Sequence, residues 1–268
     1  MAPPESAKPA EKPQNRKSRQ RAQPSIVSQL VSTSSMAECD DDETDGSLSE
    51  FFGGALLTGL SSPFWAPRAM IGDESSDPGF FLRYPYLHDR DGALSEQQHS
   101  VAGTRTWMLR ARGEYVDDFD SLSKIGGGLL CDTASRWGID SEYNYRREEL
   151  STANDSLWTG DFNLVYRFAQ SEQLQMRTGI GLNWLADRVD NDLGFNFTYA
   201  GDWFPTRPVI VSHEIDWGKL GHAALFHARV TAGINYHRLE VYTGYDYLDV
   251  GQSKFDGLVG GVRLWLSH

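Results

Sequence analysis

Several groups of residues in this 268-residue chain have side chains suited to chemistry. Ser212, His213 and Glu214 are consecutive and are the residue types of an acyl-transfer triad. In an extended strand, however, neighbours point to opposite sides, so His213 must face away from Ser212 and Glu214. Asp216, Glu214 and His227 stand in adjacent apolar–polar runs and could meet on one face, where a carboxylate–histidine pair can activate water. That would make a membrane-barrel hydrolase, but a buried ionic network is the commoner outcome of such a grouping. His222, His227 and His237 are too scattered for a metal motif. The acidic run Glu38, Asp40, Asp41, Asp42, Glu43 and Asp45 offers ligands for a hard cation but lacks the spacing of a calcium loop. Gly126, Gly127 and Gly128 sit inside a strand and not between strand and helix, which excludes a phosphate loop. Cys39 and Cys131 have no CxxC partner. No metal, no other cofactor and no enzymatic activity are expected.

The elements that would carry these residues are strands. From Thr104 to Leu266 apolar and polar residues alternate with the period of two that defines a β-strand. Trp107, Leu109, Ala111, Gly113 and Tyr115 oppose Met108, Arg110, Arg112 and Glu114; Phe195, Phe197, Tyr199 and Trp203 oppose Asn196, Thr198 and Asp202. The pattern repeats about ten times at lengths suited to tilted membrane strands. The links at Thr133–Arg136, Ala169–Glu172, Pro205–Arg207 and His237–Arg238 read as tight turns, whereas Glu148–Asp155 and Leu248–Phe255 read as longer loops. This asymmetry suits an up-and-down barrel with both ends on one side of a membrane. The sequence therefore predicts an all-β protein: a closed antiparallel up-and-down transmembrane β-barrel over residues 104–268. A partly ordered amphipathic and aromatic segment over 48–103 and a disordered linker over 1–47 precede it.

Alternation alone does not say which face points inward. Lysine is scarce after Thr104, with only Lys124, Lys219 and Lys254, whereas a solvated β-surface carries many. The polar face mixes Arg with Asp and Glu, which can pair across a narrow interior. Large aromatics bracket the apolar face near strand ends, as in the girdles of membrane barrels. The lumen is thus expected to be lined by Arg110, Arg112, Glu114, Asp140, Glu142, Arg146, Asp161, Arg167, Arg177, Glu214, Asp216, Arg229, Glu240, Asp246 and Arg263. The lipid is expected to meet Trp107, Tyr115, Trp137, Tyr145, Trp158, Phe168, Trp184, Trp203 and Trp217.

The formal charge of −12 argues against a nucleic-acid partner. No apolar run is long enough for a transmembrane helix; the nearest, Phe51 to Ile71, is broken by Pro63, Pro67 and Arg68. Met1 to Ser35 lacks the apolar core of a secretory leader, a feature at odds with export. The expected partners are outer-membrane lipid and, through the N-terminal segment, other envelope components. The function that follows is that of an outer-membrane barrel with a structural, adhesive or narrow-pore role and a charged, filled lumen. The alternatives are a soluble β-barrel that binds an apolar ligand and the hydrolase built on Asp216, Glu214 and His227.

Several stretches are also familiar: RGEYVDDFDSLSKIGGGLL from Arg112, DSLWTGDFNLVYRFAQS from Asp155, GLNWLADR from Gly181, DLGFNFTYAGDWFPTRP from Asp192, DWGKLGHAALFHARVTAG from Asp216 and EVYTGYDYLDVG from Glu240. They resemble a family of uncharacterised barrel proteins of planctomycete bacteria and, more distantly, small bacterial outer-membrane β-barrels. The resemblance implies a fold and a location in the cell outer membrane, with no activity attached. One departure is the last strand, where VRLWL is followed by Ser267 and His268 in place of a terminal aromatic residue, and Trp265 lies on the opposite face from Leu264 and Leu266.

Overall fold

The computed structural model describes residues 62–73, 78–87, 92–95, 105–118, 122–149, 154–186, 191–251 and 253–268. The linker expected over 1–47, with Cys39 and the acidic run, lies outside the described residues.

Ten strands close a barrel: β3 (Trp107–Asp117), β4 (Leu122–Thr133), β5 (Trp137–Glu149), β6 (Asn154–Gln170), β7 (Leu174–Ala186), β8 (Asn191–Thr206), β9 (Val209–Leu220), β10 (Ala223–Tyr236), β11 (Leu239–Val250) and β12 (Ser253–Ser267). Each strand pairs antiparallel with the next, and β12 returns to β3 with Val262 opposite Gly113, so no edge is left unpaired. The turns expected after Thr133, Gln170, Thr206 and Tyr236 are all present and tight.

The loop expected at Leu248–Phe255 is much shorter than its sequence suggested, because β11 runs on to Val250 and β12 begins at Ser253. Leu248, Val250 and Phe255 keep the alternation going and turn inward, where they join Leu122, Leu157, Leu185 and Leu220 in a buried cluster. Similarly, β5 reaches Glu149 and β6 starts at Asn154. At Leu248–Phe255 the strands run on because their apolar residues have a core to bury.

Of the segment expected over 48–103, residues 48–61 lie outside the described residues, and the described part before the barrel falls in two. Helix α1 (62–71) begins with Pro63 in its first turn, where proline costs no hydrogen bond. It lies on the outside of the wall, with the Phe64 ring 5.8 Å from those of Phe168 and Tyr199 and 6.2 Å from Phe197. Just beyond it, Asp73 receives both terminal nitrogens of Arg136, at 2.6 and 2.7 Å, and the backbone N–H of Gln170 at 3.0 Å. The chain then enters the barrel mouth. β1 (Phe80–Phe81) pairs with β2 (Leu94–Ser95), and Phe81, Tyr86, Ala93 and Leu94 bury themselves against Met108, Phe204, Ile210 and Trp265. This hairpin closes the rim that carries the barrel's own ends, and the leucine cluster closes the other. No helix among the described residues is long and apolar enough to cross a membrane.

Candidate functional site

The wall is apolar outside and charged inside. Ile180, Leu182, Phe195, Val230 and Val262 are exposed on the outer surface between the two rims. One rim carries Trp107, Trp137, Tyr166 and Trp203, and the other Tyr115, Tyr145, Trp158, Trp184 and Trp217. Neighbouring rings stack along both belts, Trp137 on Tyr166 at 5.0 Å and Tyr145 on Trp158 at 4.9 Å. Of the nine aromatic residues expected on the outer face, Phe168 is the one that is buried. A bulge between Arg167 and Ala169 shifts the register there, and α1 roofs the ring, leaving it 8% exposed.

All fifteen charged residues expected in the lumen point into it. They stand in three layers. Next to the plugged rim, Arg167 pairs with Asp132, donates from Nε to Gln170 at 2.9 Å and stacks on Phe81 at 5.1 Å. Above it, Asp202 collects Arg110 and Arg177, each at 2.8 Å, and the Ser212 hydroxyl at 2.7 Å. In the same layer Glu240 accepts from Arg263 at 2.7 Å and from the Trp265 indole at 3.0 Å.

The central layer is organised by Arg229. It reaches Glu114 at 2.7 Å and Glu142 at 2.6 Å, and also binds Glu214. Arg112 contacts the same three carboxylates, and Lys124 joins Glu114 at 3.1 Å to Asp246 at 2.9 Å. Tyr242 donates its hydroxyl to Glu114 at 2.9 Å. Arg146 contacts the Thr159 hydroxyl. Asp140 and Asp161 face the lumen without a salt bridge among the described residues; Asp161 accepts from Asn163 at 2.9 Å. Glycine makes this crowding feasible. An added Cβ at Gly126 would lie 2.6 Å from Asn144 Oδ1, and one at Gly128 would lie 3.1 Å from an Arg112 nitrogen.

The carboxylate–histidine grouping is assembled. His227 Nδ1 lies 2.9 Å from Asp216, and Glu214, Asp216 and His227 place ligand atoms within 4.8 Å of one another. Its chemistry is nonetheless committed. The other ring nitrogen faces Asp246 at 3.2 Å, and both Glu214 oxygens are taken by Arg229 and Arg112. A cavity of about 40 Å³ beside His227, Asp216 and Asp161 has room for a few waters, and Leu220, Leu248 and Val250 roof it. Both ring nitrogens of His227 and both oxygens of Glu214 are thus engaged within the cluster. His213 points outward against Tyr199, its ring centroid 5.9 Å away, so the consecutive Ser–His–Glu run makes no triad.

Sequence reading missed Lys124 and Asp132 as lumen residues, although their parity on β4 places them there, and put Asp202 on the polar face without naming it among the lumen charges. It also missed that both ends of the lumen are apolar.

No family model matches the chain, and no curated protein matches it, so the likeness to planctomycete barrel proteins finds no support there. Among solved structures the chain is similar to OmpT, an outer membrane protein of Vibrio cholerae. The identity is 12%, 72% of this chain and 70% of that one are covered, and the TM-score is 0.30. It is also similar to a chain from a study of in-meso crystallization of membrane proteins, at 10% identity over 60% of this chain and 83% of that one, with a TM-score of 0.25.

Proposed function

We propose that this chain is an outer-membrane β-barrel whose role is structural, that of a sealed membrane anchor, and not that of a pore or an enzyme. The observation that carries this reading is the inversion of the wall. Apolar side chains bounded by two aromatic belts face out, while arginines and carboxylates are locked together inside. In water such a surface would be an aggregation hazard, whereas in a bilayer it is the low-energy arrangement. A soluble barrel for an apolar ligand needs the opposite, an empty apolar interior and a solvated charged face. The lumen is blocked three times over, by the 79–95 hairpin, the ion-pair layers and the leucine cluster. The partner is outer-membrane lipid. Other envelope components are the partners proposed for the N-terminal segment.

Cell fractionation followed by gel electrophoresis with and without heating tests the location. Recovery in the outer membrane with a heat-dependent mobility shift is expected; a monodisperse protein that needs no detergent would overturn the reading. Planar-bilayer recording tests the seal. No unitary current is expected, and regular conductance steps would make the barrel a pore.

A further inference from the structure

We propose that the lumen holds one small inorganic anion of the halide class between its two main ion-pair layers. A cavity of about 10 Å³ lies there, room for a single small species. It is lined by five arginines, Arg110, Arg112, Arg177, Arg229 and Arg263, together with Ser212, His213, Glu214 and Thr231.

The donors around it are not all used. Arg177 and Arg263 are each more than nine-tenths buried, and the Nε of each has no hydrogen-bond partner among the described residues, whereas Arg112 Nε faces Glu114 at 3.4 Å. Guanidinium groups carry five N–H donors and no acceptor, and leaving such a donor unmet in a dry interior is costly. Asp140, which makes no salt bridge among the described residues, stands near Arg110 and Arg177 but does not line the cavity, and three other nearby carboxylates are already occupied. Asp202 is shared by Arg110, Arg177 and Ser212, and Glu240 by Arg263 and Trp265. Glu214 is held by Arg229 and Arg112.

A halide accepts from several N–H groups at once and brings no protons of its own. A water molecule would direct its hydrogens at cations on most sides of this cavity. The anion also relieves repulsion among guanidinium groups in a medium of low dielectric constant. The site belongs to the barrel interior and does not depend on what surrounds the wall. Its failure would leave the membrane reading standing.

Bromide is the probe. The full-length protein in detergent is crystallised and soaked in sodium bromide, and anomalous scattering locates the ion. In parallel, the heat-unfolding midpoint is compared in sodium bromide and sodium gluconate at equal ionic strength. The expected result is a bromide peak between Arg177, Arg263 and Thr231, with a midpoint higher by about 3 °C or more in bromide. A Thr231→Asp variant supplies a built-in carboxylate and is expected to lose both the peak and the halide dependence. No peak at saturating bromide, peaks confined to the surface, or equal midpoints in the two salts would overturn the site. So would a folded Thr231→Asp variant that keeps its halide dependence. If that variant does not fold, the measurements on the unaltered protein still decide.

Discussion

Arg110 on β3 and Asp202 on β8 meet across the full width of the barrel, with one guanidinium nitrogen 2.8 Å from both carboxylate oxygens. In the closed ring of ten strands β8 is the strand opposite β3. The contact is therefore a strut between walls that the backbone ladder does not connect directly. Arg229 on β10 and Glu142 on β5 form a second strut of the same span, at 2.6 Å.

Removing one end of such a strut leaves a charge buried without its partner, which costs more than the pair itself contributes. Asp202→Ala strips Arg110 and Arg177 of their shared acceptor. The expected loss is about 3–5 kcal/mol, read by urea unfolding in lipid vesicles through tryptophan fluorescence. A loss below 1 kcal/mol, roughly that of a solvated ion pair, would mean that water fills the lumen around these residues.

The inversion of the wall makes a prediction at Ile180, which is 57% exposed at the middle of β7. In water, Ile180→Arg would change stability by less than about 0.5 kcal/mol, as surface substitutions do. At the middle of a bilayer it costs about 2–4 kcal/mol. Unfolding of the vesicle-embedded protein distinguishes the two, and a neutral result would place this face in water.

Much of this organisation is legible in the sequence, and the limits are physical. Parity along a strand is a local property, so Arg229 and Glu142 could be assigned to the inner face from alternation alone. Their pairing could not, because it depends on the relative heights of strands on opposite sides of a closed ring, which the barrel's stagger sets. Asp202 was legible as a polar-face residue but not as an acceptor shared by two arginines. Leu122, Leu157, Leu185 and Phe255 are inward yet apolar, so a rule that sends polar residues inward passes over them. Phe168 was misplaced by a single bulge and a covering helix, neither of which changes the local alternation enough to be seen.

The plug is tied down at its start by Asp73, whose carboxylate takes both ends of the Arg136 guanidinium. That carboxylate also caps the Gln170 N–H. Asp73→Ala is expected to loosen α1 and the following hairpin while leaving the barrel ladder intact. Limited trypsin digestion should then cleave at Arg68 or Arg83 several-fold faster, with an unchanged heat-dependent gel shift. A drop in the barrel's own unfolding midpoint would show instead that the N-terminal segment is part of the barrel's cooperative unit.

Tyr86 gives the plug a dependence on alkaline pH. Its hydroxyl donates to the Val209 carbonyl, and its phenol lies inside the hairpin that closes the mouth. Burial, with a smaller contribution from the negative charge of Glu240, pushes its pKa up from 10.0 to about 12. The undocked hairpin exposes a phenol that ionises near 10, while the docked one holds its proton to higher pH. Docking free energy from this group is thus fully present below pH 10 and falls as pH rises from 10 towards 12. Trypsin sensitivity of the N-terminal segment, measured in steps through that interval, should increase in the unaltered protein. The Tyr86→Phe variant lacks the ionisable proton and should show no such rise, although its digestion at neutral pH will be faster because the hydrogen bond to Val209 is gone. An identical alkaline rise in both proteins would assign the transition to another group at the rim.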